Sequence, residues 1–332
     1  MSKLIALLVA LVLLLVGGAW FVWGHYQQFL SQPLAIARQA PILLVEPGMT
    51  GRGVISRLDK MGVTDSGWEW RVLLKTEPFI VQAGEYRLHP GMRPRELLRM
   101  LEQGDVVTYR FTLVEGWNVQ QLIDAFFADP MLGPRLREAV DETDLRSNAD
   151  KYGIEEGALL PETYVYTRGD TYLDIVKRAT GAMEDALAEA WDVRVEDHPV
   201  KSPYELLILA SIIEKETGLD EERDDISGVF VRRLKKGMKL QTDPTVIYGL
   251  GADFDGDIRR RDLRTDTPYN TYTRAGLPPT PIAMPGRASL MAAARPAEGE
   301  TLFFVADGTG GHTFSVTLEE HQKGVDKLNG KK

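Results

Sequence analysis

A stretch of 20 residues without a charged side chain, from Leu4 to Trp23, constrains this 332-residue chain more than any other feature. As a helix with a rise of 1.5 Å per residue it would be about 30 Å long, the thickness of the hydrocarbon core of a bilayer. Trp20, Trp23 and Tyr26 stand at its end, as in the aromatic belts of membrane proteins. The stretch therefore predicts a transmembrane helix.

The flanks of this stretch predict its orientation. Only two residues precede Lys3, so we expect a cytoplasmic N-terminus and an exported remainder. A cleaved signal peptide is the alternative, but the apolar run is longer than usual and the bulky Trp20 and Phe21 stand where small cleavage-site residues are expected. We expect an uncleaved single-pass anchor within residues 1–31, with residues 4–23 in contact with membrane lipid, followed by a short tether at residues 32–40.

Composition excludes several classes of function. A net charge of −9 disfavours a nucleic-acid partner, which would require a basic surface. The chain has no cysteine, so thiol nucleophiles, disulfides and cysteine-ligated zinc are excluded. The five histidines show no metal-site spacing, and the sequence contains no phosphate-binding loop. We expect neither a metal nor another cofactor.

A strand, a glycine turn and an amphipathic helix recur three times between residues 41 and 130. In each case a glycine precedes an apolar pair by six and seven residues. The pairs are Val54 and Ile55 after Gly48, Leu97 and Leu98 after Gly91, and Leu122 and Ile123 after Gly116. Many strand–turn–helix units carry glycine at the turn, so the recurrence alone does not prove related modules. Units of this type resemble the LysM-like modules of glycan-binding proteins.

The strongest local signal is a helix that starts at Ser202. Ser202 suits the N-cap, Pro203 the first helical position, and Glu205 the third position of a capping box. The run LLILASII that follows is apolar on every face, which predicts a buried helix. This helix carries Glu214 to its last turn, on the same face as the small residue Ser211.

Glu214 is a candidate general acid. Burial and the negative end of the helix dipole both favour its protonated form, which is the form that a general acid needs. The alternative is an ion pair with Arg232 or Arg233 that only clamps two helices together. Glu216 points about 200° away around the helix, so the two glutamates form no obvious pair.

Four longer segments resemble the YceG-like family of endolytic murein transglycosylases. They are SIIEKETG (211–218), LKKGMKLQTDPTVIYGLG (234–251), PYNTYTRAGLPPTPIAMPG (268–286) and LFFVADGTGGHTFSVTLEEH (302–321). The resemblance implies an enzyme of the bacterial inner membrane, with a periplasmic catalytic part that cleaves peptidoglycan strands between N-acetylmuramic acid and N-acetylglucosamine. It also implies that Glu214, the first glutamate of EKET, is catalytic, and it suggests cooperation with peptidoglycan synthases.

Such a reaction requires one carboxyl group rather than the usual two. In a lytic transglycosylase the C6 hydroxyl of the muramic acid attacks in place of water and leaves a 1,6-anhydro end. Glu214 would first protonate the leaving oxygen and then accept the hydroxyl proton. Two alternatives stay open. One is a non-catalytic glycan-binding scaffold, and the other is a hydrolytic muramidase with Glu162, Glu216 or Asp243 as its second carboxylate.

Further residues are of types suited to binding a sugar, although helix starts and core packing explain several of them equally well. Asp243 and Pro244 are expected at the N-cap and first position of a short helix that extends through Tyr248. We expect His312 to be a structural turn residue. The candidate substrate contacts are Gln241, Thr242, Asp243, Tyr248, Tyr269, Asn270, Tyr272, Ser211 and Glu162.

We therefore expect an α+β fold. A transmembrane helix precedes LysM-like βα modules at residues 41–130, and a mixed, helix-rich catalytic domain with a β-hairpin occupies residues 131–332. The boundary between the last two falls loosely within residues 130–157. Peptidoglycan strands and membrane lipid are the expected partners.

Overall fold

The computed structural model describes residues 2–328 and Gly330, and these form a helix-rich α+β protein with three two-stranded sheets. The mixed class predicted from the sequence is confirmed. The chain divides into two compact units: residues up to Tyr109 together with 165–169, and residues 110–164 together with 170 onward. The functional domains expected at residues 41–130 and 131–332 have other boundaries than these two units, and they stay a prediction.

The N-terminal helix α1 (Ser2–Ser31) is continuous. Its residues from Lys3 to Ser31 are long and apolar enough to cross a membrane. The segment at residues 32–40, expected to be a tether, is packed into the first unit at its start. Leu34 is buried and its N–H donates to the Met92 carbonyl at 2.8 Å, and the Ala35 N–H donates to the Val63 carbonyl at 2.9 Å.

The first unit combines one sheet with three helices besides α1. The elements are β1 (Ile42–Val45), α2 (Gly51–Lys60), α3 (Trp68–Thr76), β2 (Gly84–Arg87) and α4 (Pro94–Gln103). The strands β1 and β2 are antiparallel, with Ile42 opposite Arg87 and Val45 opposite Gly84. Their inner faces and one side of each helix enclose a single core.

The three recurring glycines all adopt a left-handed backbone. Gly48, Gly91 and Gly116 have φ angles of +80°, +87° and +74°. Each lies between a strand and a helix, the third between β3 (Thr108–Thr112) and α5 (Val119–Ala128). Residues that have a Cβ rarely adopt such φ angles, which explains the glycine at each turn. All six apolar residues of the predicted pairs are 5% exposed or less.

The second unit is mostly helical. Its remaining helices are α6 (Leu132–Ala139), α7 (Glu142–Ser147), α8 (Tyr172–Asp192), α9 (Pro203–Glu216), α10 (Asp220–Lys235), α11 (Asp243–Leu250), α12 (Arg260–Arg264), α13 (Arg287–Ala294) and α14 (Leu318–Leu328), with short 3₁₀ helices at Ala149–Tyr152 and Gly251–Asp253. The strand β3 pairs with β4 (Thr163–Thr167), and the chain passes between the two units once within each of these strands and again after Gly169.

The helix α9 lies at the centre of the second unit. Every residue from Leu206 to Ile213 is 5% exposed or less, as the all-round apolar pattern predicted. Helices α8, α10, α11 and α13 pack around it. The expected β-hairpin is also present, with β5 (Phe303–Ala306) antiparallel to β6 (His312–Ser315).

Candidate active site

The N-terminus of α9, the helix that carries Glu214, is capped as the sequence predicted. The Ser202 hydroxyl caps the helix by accepting the Glu205 N–H at 3.2 Å, and Pro203 is its first residue. The reciprocal bond predicted for a capping box is displaced by one residue. The Glu205 carboxylate accepts the N–H of Lys201, which precedes the cap, at 2.6 Å.

Glu214 lies half-buried on the last turn of α9, with one carboxylate oxygen held by two donors. Its Oε2 accepts the Ser289 hydroxyl at 2.7 Å and the Gly286 N–H at 3.0 Å. Gly286 is the N-cap of α13, whose positive dipole end offsets the negative end of α9 at the carboxylate. Among the residues that the structure describes, no hydrogen bond reaches Oε1.

The expected alternative, an ion pair of Glu214 with Arg232 or Arg233, is wrong. The Arg232 guanidinium donates to the carbonyls of Thr301 and Ala297. The Arg233 guanidinium donates to the carbonyls of Leu302 and Leu240. Both cations therefore hold loop backbone and are engaged away from Glu214.

A second carboxylate beside Glu214 was missed in the sequence. The side chain of Glu115 lies so close to Gly286 that a Cβ added there would be 1.9 Å from Glu115 Oε1. Glu115 and Glu214 thus converge on the same glycine. Partial burial and then the charge of Glu214 raise the pKa of Glu115. Its side chain remains exposed and has no hydrogen-bond partner among the described residues.

Backbone bonds hold the loop that carries Glu115. The Gly116 N–H donates to the Met284 carbonyl at 2.9 Å, and the Met284 N–H donates to the Trp117 carbonyl at 2.7 Å. The Lys215 ammonium donates to the Gly116 carbonyl at 3.1 Å. Ser211, a predicted substrate contact, is fully buried and accepts the Ile282 N–H at 3.0 Å, which holds the proline-rich loop at residues 278–285 against α9.

A cleft of about 1300 Å³ opens beside these loops. Gly116 and Lys215, the neighbours of Glu115 and Glu214, line it, whereas the two glutamates do not. Its lining mixes aromatic rings with amides and carboxylates, a composition suited to a polar ligand with apolar faces. The other lining residues include Asn118, Gln120, Gln121, Glu156, Tyr204, Ile247, Tyr248, Phe254, Tyr269, Thr280 and Ile282.

Glu156 is a second functional candidate that was missed in the sequence. Its Oε2 accepts the Tyr248 hydroxyl at 3.0 Å and the Val119 N–H at 3.3 Å. Its Oε1 is buried without a hydrogen-bond partner among the described residues. Burial raises the pKa of Glu156 to about 7, against the lowering effect of these donors. A carboxyl group of the cleft is therefore poised to change charge near neutral pH.

The segment 241–243 differs in detail from the expected helix start. Thr242, rather than Asp243, is the N-cap of α11, so Asp243 is its first residue. Thr242 is buried, and its hydroxyl donates to Glu216 at 2.6 Å. Glu216 is half-buried, and this burial raises the pKa of its carboxyl group. Gln241 is exposed with a φ of +54°, a strained angle that often marks a binding site.

The YNTY segment contributes both lining and support. The Tyr269 ring meets the Tyr248 ring edge-on at 4.9 Å, and its hydroxyl bonds to Thr280 at 2.8 Å. The Tyr272 hydroxyl donates to Asp243 at 2.6 Å. Asn270 is 1% exposed, and its amide nitrogen contacts three carbonyls at the C-terminal end of α12, the shortest at 2.7 Å. Asn270 therefore holds the end of this short helix.

The remaining candidates lie at the edges. Glu162 is exposed and pairs with Arg287, which follows Gly286, at 3.3 Å. His312 bonds to Glu222 through its ring at 2.8 Å and its N–H at 2.7 Å, a structural arrangement. Within residues 2–328 and Gly330, no group of three or more His, Asp or Glu side chains could hold a metal ion.

Comparison with protein families shows a match to the YceG-like family over residues 43–327. An endolytic murein transglycosylase of Bacillus subtilis is 31% identical over 95% of this chain and 91% of its own length. A protein of the same name from Streptococcus pneumoniae serotype 2 is 26% identical over 97% of this chain. The chain spans 64% of that pneumococcal relative.

A solved structure is also similar. The crystal structure of a yceG-like protein from Listeria monocytogenes is 27% identical to this chain and aligns with a TM-score of 0.53. The alignment covers 85% of this chain and 98% of the Listeria chain. The similarity therefore extends over most of both proteins.

Proposed function

This chain belongs to the YceG-like family, and we propose that it is an endolytic murein transglycosylase. It cleaves the β-1,4 bond between N-acetylmuramic acid and N-acetylglucosamine within peptidoglycan strands. The observation that carries this proposal is the environment of Glu214. One carboxylate oxygen is fixed by Ser289 and Gly286, while the side chain remains partly exposed beside the cleft-lining residue Lys215.

The reaction needs Glu214 to move two protons in succession. The protonated carboxyl donates to the glycosidic oxygen as the bond to C1 of the muramic acid breaks. The C6 hydroxyl of the same sugar then forms a bond to C1, and the Glu214 carboxylate accepts its proton. No water is consumed, and the glutamate returns to its protonated form. The Ser289 hydroxyl and the Gly286 N–H stabilise the carboxylate between the two transfers.

The cleft supplies the saccharide-binding surface in this proposal. Tyr248 and Tyr269 line the cleft with aromatic rings of the kind that pack against sugar rings, and the exposed Gln241 is a further proposed contact. Asp243 and Tyr272 bond to each other at the start of α11 and act as a pair. Ser211, Thr242 and Asn270 are buried with engaged polar atoms, so they position the surface rather than contact the strand.

The finer assignments from the sequence complete the proposal. Helix α1 anchors the protein in the bacterial inner membrane with the remainder in the periplasm. The modules within residues 41–130 are LysM-like and contact glycan, and residues 131–332 carry the catalysis. Peptidoglycan synthases are the proposed protein partners.

Product analysis tests the proposed reaction. The full chain in detergent is incubated with purified sacculi, and the released fragments are analysed by mass spectrometry. We expect chains that end in 1,6-anhydro-muramic acid. Reducing muramic acid ends would contradict a lytic transglycosylase. Binding to sacculi without any release would favour a glycan-binding scaffold.

A hydrolytic muramidase is the second candidate, and Glu115 is the observation that favours it. Hydrolysis requires a second carboxylate to activate water or to act as a nucleophile, and Glu115 converges with Glu214 on Gly286. For a transglycosylase, we expect Glu115→Gln to keep anhydro ends as the product. Loss of the reducing-end product in this variant would instead assign Glu115 to hydrolysis.

A further inference from the structure

The membrane-spanning helix and the first folded unit form one continuous body. Helix α1 runs without a break to Ser31, and its last turns place Tyr26 and Leu30 in the core of the first unit, at 8% and 7% exposure. The ring of Phe29 meets the buried Trp70 edge-on at 5.2 Å. The first unit is therefore held by packed side chains at a fixed distance from the uncharged stretch.

Trp68 lies beside the helix where that stretch ends. Its ring stacks on His25 at 6.0 Å and lies 6.3 Å from Tyr26. The next residue, Glu69, bonds to the His25 ring at 2.9 Å and fixes the start of α3 against α1. His25 follows Trp23 by two residues, or about 3 Å along the helix axis. Trp68 is thus at the depth at which hydrocarbon gives way to headgroups.

Trp68 presents a large, mostly apolar ring at the surface of the first unit. Its side chain is 41% exposed although it is the first residue of a helix whose Trp70 and Leu73 are buried. An indole at the headgroup layer keeps its apolar body among the upper acyl chains and its N–H in contact with water or phosphate. A bilayer therefore fits this surface better than bulk water does.

We propose that Trp68 extends the aromatic belt of the exposed Trp20 and Trp23, so that the start of α3 rests in the headgroup layer of a phospholipid bilayer. The inference rests on the proposed anchoring by α1. The support for this docking is that the uncharged stretch and its terminal tryptophans belong to one unbroken helix, and that Trp68 stacks directly on this helix at His25. The first unit is then docked on the membrane surface rather than suspended above it.

Site-directed fluorescence quenching tests the docking. The chain has no cysteine, so Trp68→Cys, Trp23→Cys and Ile42→Cys each give one labelling site in the full-length protein. Ile42 on β1 is the matched control, since its 42% exposure equals that of Trp68 within one per cent. Each fluorophore-labelled variant is reconstituted in phospholipid nanodiscs that carry a nitroxide either on the headgroup or deep in the acyl chain.

We expect the headgroup nitroxide to quench a label at position 68 at least about twice as strongly as a label at position 42. The deep nitroxide should quench the label at position 68 less than the headgroup nitroxide does. Equal quenching at positions 68 and 42 would overturn the proposal. Quenching at position 23 with none at position 68 would overturn it while leaving the anchor intact, and loss of the protein from carbonate-washed membranes would contradict the anchor itself.

Discussion

Two carboxyl groups of the second unit, Glu214 and Glu156, have the same number of donors but differ in the surroundings of their other oxygen. Each accepts one backbone N–H and one hydroxyl through Oε2. The Oε1 of Glu156 is buried, and burial raises the pKa of that residue to about 7. Glu214 keeps partial exposure and has Glu115 as its neighbour. The difference teaches that the surroundings of the oxygen without a donor, rather than the count of donors or a place in the cleft lining, distinguish the two groups.

The largest expected effect is the loss of activity in Glu214→Gln. General acid catalysis contributes about 10²–10⁴-fold to a rate, and an amide cannot supply the proton. The thermal melt should remain close to that of the unmodified chain, because the amide oxygen can still accept the bonds from Ser289 and Gly286. Release of muropeptides from sacculi measures the activity. Full activity in this variant would show that Glu214 is not the acid.

Glu156→Gln should change stability with pH instead. The folded pKa of Glu156, about 7, is above its ordinary value of 4.5, so folding favours the protonated form. That stability is present below pH 4.5 and is lost as the pH rises to 7, and the neutral amide avoids the loss. We expect the variant to be more stable than the unmodified chain by about 3 kcal/mol above pH 7, with no difference near pH 4.

Denaturant melts at pH 4 and pH 8 measure this change in the free energy of unfolding. Glu155→Gln is the matched control, because Glu155 is the exposed neighbour on the same loop. A difference between the Glu156 variant and the unmodified chain that does not vary with pH would contradict the assignment of the raised pKa to Glu156.

Removing one hydroxyl donor from each carboxylate compares the two sites directly. Ser289→Ala should lower kcat by roughly tenfold, because the Glu214 carboxylate loses a bond of about 1.5–3 kcal/mol when it is ionised. Tyr248→Phe should act through the free energy of unfolding and KM, since Tyr248 bonds to Glu156 and lines the cleft. If both variants lowered kcat equally, the two carboxylates would not differ in role.

The smallest effect is expected at Glu162. Its ion pair with Arg287 is exposed on both sides and should contribute less than about 1 kcal/mol to stability. Steady-state assays of Glu162→Gln should therefore give rates within about twofold of the unmodified chain. A large loss of activity would place Glu162 with Glu214 as the missing second carboxylate.

Local pattern was sufficient to predict α9, the position of Glu214 on its last turn, the hairpin and the three glycine turns. These features depend on caps, periodicity and backbone angles within a few residues. The partners of Glu214 could not be predicted, because Ser289 and Gly286 are more than 70 residues away along the chain. Asn270 differs, because its partners are only five to eight residues away, but they are backbone carbonyls and so leave no residue pattern in the sequence.

Both missed glutamates share a local signal. Glu115 and Glu156 each directly precede a glycine with a left-handed backbone, Gly116 at +74° and Gly157 at +78°. A Cβ on Gly157 would be 2.5 Å from Pro281, so the chain passes close to the proline-rich loop there. A Glu-Gly pair in a loop between two regular elements is thus a sequence feature that could have identified them.

The continuity of α1 with the first unit also sets a rotational phase. Each residue of a helix advances the chain by about 1.5 Å and turns it by about 100°, so inserting two residues after Trp23 would raise the unit by about 3 Å and rotate it by about 200°. The side of the unit that the proposal places on the bilayer would then be lifted by that distance and turned to the opposite face of α1. The number of residues in α1 therefore sets both the distance and the rotation of the first unit relative to the uncharged stretch. A flexible linker of the same reach would set neither.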